Sequence, residues 1–398
     1  MRISTLISFT SAFALFGAAS SFAANPAPPK KEDSQTSAPY AILIEAKSGS
    51  VLYEKSADQM IPPASLAKLM TAEVVFNELK EGNFTLDDEF PISASAWRRG
   101  GAPSGGSTMF AALNSKVSIR DLLHGVIIQS ANDGCIALAE GIAGNESDFV
   151  RIMNGRAREL GLTKSNFTNP AGLPDKDMRV TIRELGILAR HLIATYPEFY
   201  AWYGEREFTW NKIRQQNRNP LLAMNIGADG LKTGFTQEAG YALVGSAVQN
   251  GLRLIVVLSG TKSEKERADE GRKLLEWGFQ HFDSRPLFAE GQVIGEAKLF
   301  GGKKSRVPLV GDGPIGLMLP RNSSDKVIAR IVYNGPVIAP VKKGQRVGVL
   351  KVWRGTDVVL EAPLSAAEDV ETGGVVGRAF DAAGELASGL LRAGVKKL

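Results

Sequence analysis

From Tyr40 the apolar and polar positions alternate through "YAILIEAKSGSVLYEKSA", two strand-like runs around Ser48-Gly49-Ser50, which is a hairpin pattern. The period then lengthens to that of helices over residues 65–78, 118–144 and 146–160, and again through "TIRELGILARHLIATYP". Alternation returns in "DGLKTGFTQEAGYALVGSAVQNGLRLIVVLSG", which turns at Gln249-Asn250-Gly251 and is followed by a long helical stretch, "SEKERADEGRKLLEWGFQHF". Hairpins at both ends of a helical middle predict an α/β (α+β) domain over 39–284, an antiparallel sheet covered by helices. After residue 285 the texture changes to short Val/Ile/Leu runs between glycine-containing turns, as in "GQVIGEAKLF", "KVIARIVY" and "DVVLEAPLS". This predicts a small all-β domain over 285–372, with no reactive constellation in it.

The two ends differ from the rest. Residues 1–23 combine a basic start at Arg2, an apolar run from Leu6 to Phe16 and small residues up to Ala23, the pattern of a secretory signal peptide. Residues 24–38 are polar and proline-rich and predict a flexible tether. At the other end, residues 373–398 form an amphipathic pattern on a helical wheel. Val376, Ala379, Phe380, Ala383, Leu386, Leu390 and Leu391 share one face, and Arg378, Asp381, Glu385, Arg392 and Lys396 the other. Its charges recur too often for a membrane span, and its basic end suits the surface of an anionic bilayer. Docking on the β domain is the alternative for the same helix.

Composition narrows the choices further. The chain has 398 residues, long enough for two cores, and a net charge of +5 spread along its length. Nucleic acid is therefore a poor expectation as a partner. With Cys135 as the only cysteine there is no intrachain disulfide. The three histidines, His124, His191 and His281, are not spaced as metal ligands, so no metal is expected.

Candidate chemistry lies in three short stretches. In "IPPASLAKLMTA" a hydroxyl, Ser65, precedes an ammonium, Lys68, by three residues, so both share a helix face in an apolar setting. Taken alone, the pair is short enough to arise by chance. In "QSAND" Ser130 and Asn132 are two apart and reach one site only if the helix breaks between them; a plain helix cap fits them equally. In "DGLKTGFTQEAG" the Lys232-Thr233-Gly234 triplet lies on a strand, Lys232 and Gly234 on one face and Thr233 on the other. Glycine there marks close approach of a ligand or another segment, and an edge lysine guarding against aggregation is the other reading.

Together and in this order, Ser-x-x-Lys, Ser-x-Asn and Lys-Thr-Gly resemble the signature of the penicillin-recognising serine acyl-transferases. Stretches such as "REFTWNKIRQQNRNPLL" and "RKLLEWGFQHF", with the layout of the termini, extend the likeness to the low-molecular-mass penicillin-binding proteins that act as D-alanyl-D-alanine carboxypeptidases. The resemblance implies a penicillin-binding/β-lactamase-like catalytic domain, peptidoglycan stem peptides as substrate, β-lactams as covalent inhibitors, no cofactor, and a periplasmic location on the outer face of the cytoplasmic membrane. It implies catalytic roles for Ser65, Lys68 and Ser130: nucleophile, neutral base depressed by burial and by Lys232, and proton relay. Asn132 would hold Lys68 and the substrate amide, Lys232, Thr233 and Gly234 would line the carboxylate site, and the backbone N–H groups of Ser65 and Phe235 would form an oxyanion hole. Phe235 replaces a histidine common in relatives, and Arg267 is the candidate for an arginine that relatives place near the carboxylate. A D,D-endopeptidase is a close alternative. A serine β-lactamase is disfavoured, because no Glu-x-x-Leu-Asn element follows "QSAND"; a non-catalytic wall-binding protein would need neither Ser65 nor Lys68.

Overall fold

The computed structural model describes residues 35–321, 326–355 and 357–374. The signal segment, most of the tether and nearly all of the terminal helical stretch lie outside the described residues. The chain forms two compact units, divided between His281 and Phe282.

The first unit is built on five antiparallel strands: β1 (Tyr40–Glu45), β2 (Val51–Lys55), β3 (Ala228–Thr236), β4 (Gly240–Gln249) and β5 (Leu252–Thr261). They lie side by side in the order β2-β1-β5-β4-β3. The β4–β5 turn places Asn250 and Gly251 at φ 51° and 77°, the pair of left-handed residues that a two-residue hairpin needs. The predicted single hairpin is thus a three-stranded meander, with an additional turn at residues 237–239.

Period two sorts the apolar residues of β5 onto both faces. Leu254, Val256 and Leu258 pack with Leu274, Leu275 and Phe279 of helix α6 (Glu264–His281). Ile255 and Val257 face the larger core, which holds Leu69, Met70 and Val74 of α1 (Lys68–Lys80). The centre of the sheet is therefore covered on both sides, which is why β5 carries a continuous apolar run.

Between the hairpins come α2 (Ile119–His124), α3 (Asn132–Ala143), α4 (Glu146–Glu159) and α5 (Ile182–Thr195). Each of α2, α4 and α5 starts on a side-chain cap, from Ser118, Asn145 and Thr181 respectively. The helix predicted over 118–144 is not continuous. After α2 the chain widens through Gly125–Gln129 and breaks at Ser130, whose φ and ψ of 65° and 35° are left-handed, before α3 begins. That break is what lets Ser130 and Asn132 serve one site.

The second unit is all β. Strand β6 (Phe282–Phe288) pairs with β9 (Ile315–Pro320). A six-stranded sheet runs in the order β10 (Val327–Tyr333), β12 (Arg346–Arg354), β13 (Asp357–Ala366), β8 (Arg306–Gly311), β7 (Gly295–Phe300), β11 (Val337–Ile338). Leu299, Leu309, Leu317, Val352 and Leu364 form its core.

Candidate active site

Ser65 sits in a tight turn, Ala64–Ala67, that leads directly into α1 at Lys68. Three-residue spacing brings the Lys68 Nζ within 3.0 Å of the Ser65 Oγ. The same ammonium donates to the carbonyl of Ala171, and the neighbouring Thr71 hydroxyl donates to the Pro170 carbonyl at 2.6 Å. This loop reaches the serine turn only because residue 172 is glycine. Its φ is +72°, and a Cβ there would lie 1.9 Å from the Ala64 carbonyl oxygen.

Lys68 is 1% exposed. Burial is the largest cause pushing its pKa down, from 10.5 to about 8; the positive charge of Arg218 adds to the fall, while Cys135 and Asp133 oppose it. Lys232, the repelling cation expected from the sequence, is itself held well below its ordinary value, first by burial and then by the charge of Lys68, so each ammonium opposes the other's protonation. Arg218 is a further cation acting on Lys68. A correction concerns Asn132. Lys68 is tethered by the Ala171 carbonyl and Ser65, and Asn132 is not among its hydrogen-bond partners.

Ser130, also buried, has no hydrogen-bond partner for its Oγ among the described residues. An unpartnered buried hydroxyl is costly unless something else engages it, so this one is free for a substrate atom. Next to it the Asn132 N–H donates to the Ser107 carbonyl at 2.8 Å. Asp133, fully buried, accepts from the Thr108 hydroxyl at 2.6 Å and from the backbone N–H groups of Met109, Gly134 and Ala111 at 3.1, 3.0 and 3.3 Å. Its burial raises its pKa, which these hydrogen bonds counter. Asp133 thus ties the loop carrying Ser107 to the start of α3.

Strand β3 closes the other side. Lys232 is 2% exposed and donates to the Thr233 carbonyl at 3.1 Å, so it is no solvated edge lysine, although β3 is the edge strand. At Gly234 an added Cβ would sit 3.3 Å from Ala64 Cβ, Leu66 Cγ and the Pro63 carbonyl oxygen. The glycine lets the serine turn press against the strand. Phe235 is exposed and packs on Tyr241, ring centroids 4.2 Å apart and planes tilted by 31°.

Two cavities meet at Ser65, Ser107 and Phe235. One, of about 390 Å³, is polar and adds Ser130, Thr233, Arg218, Arg267 and Glu264 to its walls. The other, of about 460 Å³, adds Asn132, Pro63, Leu173, Pro174 and Met178. All of Ser65, Ser130, Thr233, Gly234 and Phe235 thus converge on one cleft with Asn132, while Lys68 and Lys232 lie buried behind its walls. Arg267 is also there, its guanidinium 5.6 Å above the Tyr241 ring and its Nε without a hydrogen-bond partner among the described residues.

Sequence reasoning missed Arg218, whose guanidinium donates to the Ser107 Oγ at 2.6 Å. It also missed the Ala171 carbonyl, the Asp133 carboxylate and Glu264. The stretch "NRNP" that holds Arg218 carried no signal beyond its likeness to relatives. Cys135 is inert by comparison: it is buried, and burial pushes its thiol up to about 11.

A serine hydrogen-bonded to a buried lysine, a free hydroxyl across the cleft and a Lys-Thr-Gly strand beside them define a serine acyl-transferase of the penicillin-recognising class. Residues 25–263 match the family model described as D-alanyl-D-alanine carboxypeptidase, peptidase S11, and residues 282–372 match the penicillin-binding protein 5 C-terminal domain. The chain is 42% identical to D-alanyl-D-alanine carboxypeptidase DacC of Escherichia coli, over 85% of this chain and 86% of that one. Penicillin binding protein 5 of Haemophilus influenzae superposes with a TM-score of 0.74 at 38% identity, covering 87% of this chain and 100% of its own. Penicillin-binding protein D2 of Listeria monocytogenes, in its ampicillin-bound form, superposes with a TM-score of 0.54 at 31% identity, over 62% of this chain and 100% of its own. The chain belongs to the S11 family of D-alanyl-D-alanine carboxypeptidases.

Proposed function

We propose that the chain removes the terminal D-alanine from peptidoglycan stem peptides through an acyl ester on Ser65, and that penicillin arrests it in the same ester. The observation that carries this reading is the 3.0 Å contact between the Ser65 hydroxyl and a lysine whose pKa is near 8. A neutral Lys68 takes the Ser65 proton as the oxygen attacks the carbonyl of the penultimate D-alanine. Ser65 and Phe235 line both cavities, which supports their backbone N–H groups as the donors that receive the developing oxyanion. Ser130 relays a proton to the departing amine, so that the peptide bond breaks and free D-alanine leaves.

The polar cavity suits that leaving residue. Its carboxylate would be bound by Thr233, Arg218 and Arg267, with Lys232 behind them, while the acyl half lies against Asn132 and the apolar wall of Leu173 and Met178. Water then attacks the ester with Lys68 again as base. The test is D-alanine release from a peptide ending in D-Ala-D-Ala. The wild-type chain releases it and Ser65→Ala does not; release by Ser65→Ala would overturn the mechanism.

The same reading extends to location. The basic start, apolar run and small residues of 1–23 support export to the periplasm, and the amphipathic pattern of 373–398 supports attachment to the outer face of the cytoplasmic membrane. Fractionation tests the attachment: a chain ending before Gly373 leaves the membrane fraction, and retention there would refute it.

A further inference from the structure

The polar cavity contains a group that the removal of D-alanine does not use. Glu264 is the one carboxylate among its described walls, three residues before Arg267 on the same helix. It is the first residue of α6 and exposed. Its neighbours are engaged elsewhere: Lys265 pairs with Asp269 at 2.6 Å, and Glu266 accepts from the Lys262 N–H at 2.7 Å and the Ser37 hydroxyl at 2.9 Å. Glu264 itself has no hydrogen-bond or ion-pair partner among the described residues, and it does not close on Arg218 or Arg267, although its charge acts on both. Beside it the Arg267 side chain, 6% exposed, has an Nε with no hydrogen-bond partner among the described residues. The cavity therefore presents a separated pair of opposite charges that are not paired with each other.

Size points the same way. A volume of about 390 Å³ falls in the range of small-molecule sites, whereas a terminal alanine offers only a carboxylate and a methyl group. A ligand that filled the space and answered both charges would carry a carboxylate for Arg218, Arg267 and Thr233, and a cation further out for Glu264.

We propose that Glu264 forms a second subsite on the leaving-group side of the cleft, selecting a C-terminal D-amino acid whose side chain bears an ammonium group. This rests on the acyl-transfer reading above and adds a substrate class to it. The bond broken is unchanged, the acyl group still passes to Ser65, and the leaving residue departs with its amine protonated through Ser130. What changes is which leaving residue binds well. The side chain of a D-lysine or another D-diamino acid would reach Glu264; a methyl group would not.

The test compares three peptides alike except for the last residue: D-Ala-D-Ala, D-Ala-D-Lys and D-Ala-D-norleucine, the last matching lysine in length without charge. For the full wild-type chain, kcat/KM for the D-lysine peptide should exceed that for the norleucine peptide by about fivefold, the upper range for a partly exposed ion pair. That preference should shrink as salt is added. Glu264→Gln should bring the ratio to about one while leaving the D-Ala-D-Ala rate within about twofold, and Glu264→Lys should favour norleucine over lysine. A ratio near one in the wild-type chain, or a ratio that survives Glu264→Gln, overturns the subsite. Loss of all three rates equally in Glu264→Gln also overturns it, because Glu264 would then act by positioning Arg267. If the wild-type chain cleaves none of the peptides, the acyl-transfer reading itself fails, and the subsite with it.

Discussion

Acylation of Ser65 should follow the titration of Lys68. Burial takes this lysine from 10.5 to about 8. At pH 7 a lysine of ordinary pKa is neutral in roughly one molecule in three thousand, and one at 8 in about one in eleven. The fold thus raises the population of the working base by roughly 300-fold, which at the active site is worth about 3 kcal/mol of barrier. The assay is the second-order rate of labelled penicillin attachment between pH 6 and pH 9.5, read in single turnovers so that deacylation does not interfere. The logarithm of the rate should climb one decade per pH unit at the acid end, bend near pH 8 and level off above it. Arg218→Gln removes the guanidinium that helps hold Lys68 down, so its bend should move to higher pH. A flat profile, or one still climbing at pH 9.5 in the wild-type chain, refutes a neutral Lys68 as the base.

Other consequences concern the supports of this pair. A depressed lysine destabilises the fold below its folded pKa, and the penalty fades as pH rises from about 8 toward 10.5. The stability of Lys68→Met relative to wild type should therefore fall by roughly 2 kcal/mol between pH 7 and pH 10, as measured by urea unfolding at each pH. Gly172→Ala forces a Cβ into the Ala64 carbonyl at an unfavourable φ, so it should cost at least about 2 kcal/mol and slow acylation together, read by unfolding and penicillin attachment. Asp133→Asn replaces an acceptor that takes four hydrogen bonds with a group that also donates. It should cost about 2 kcal/mol or more, and amide exchange should quicken at Met109 and Ala111.

What was legible in the chain followed from local rules. The Ser65–Lys68 contact needs only helical spacing, and the break between Ser130 and Asn132 follows once both are required on one side. The two-layer arrangement of β5 follows from its period-two apolar run flanked by helical periods. What was not legible depends on chain segments far apart in sequence. Ala171 lies 103 residues from Lys68 and acts through a backbone carbonyl, which no side-chain motif announces. Arg218 enters from a loop with no periodicity, where only three-dimensional closure tells that it faces Ser107 across a separation of 111 residues. The action of Arg218 on Lys68 was hidden for the same reason, whereas the mutual repulsion of Lys68 and Lys232 follows from their motifs.

The measurement that bears most directly on the account is the site of covalent capture. The chain treated with penicillin should gain the mass of one intact antibiotic molecule, and proteolytic mapping should place it on the peptide containing Ser65, with no capture by Ser65→Ala. An adduct on any other residue, or one that persists in Ser65→Ala, would contradict it.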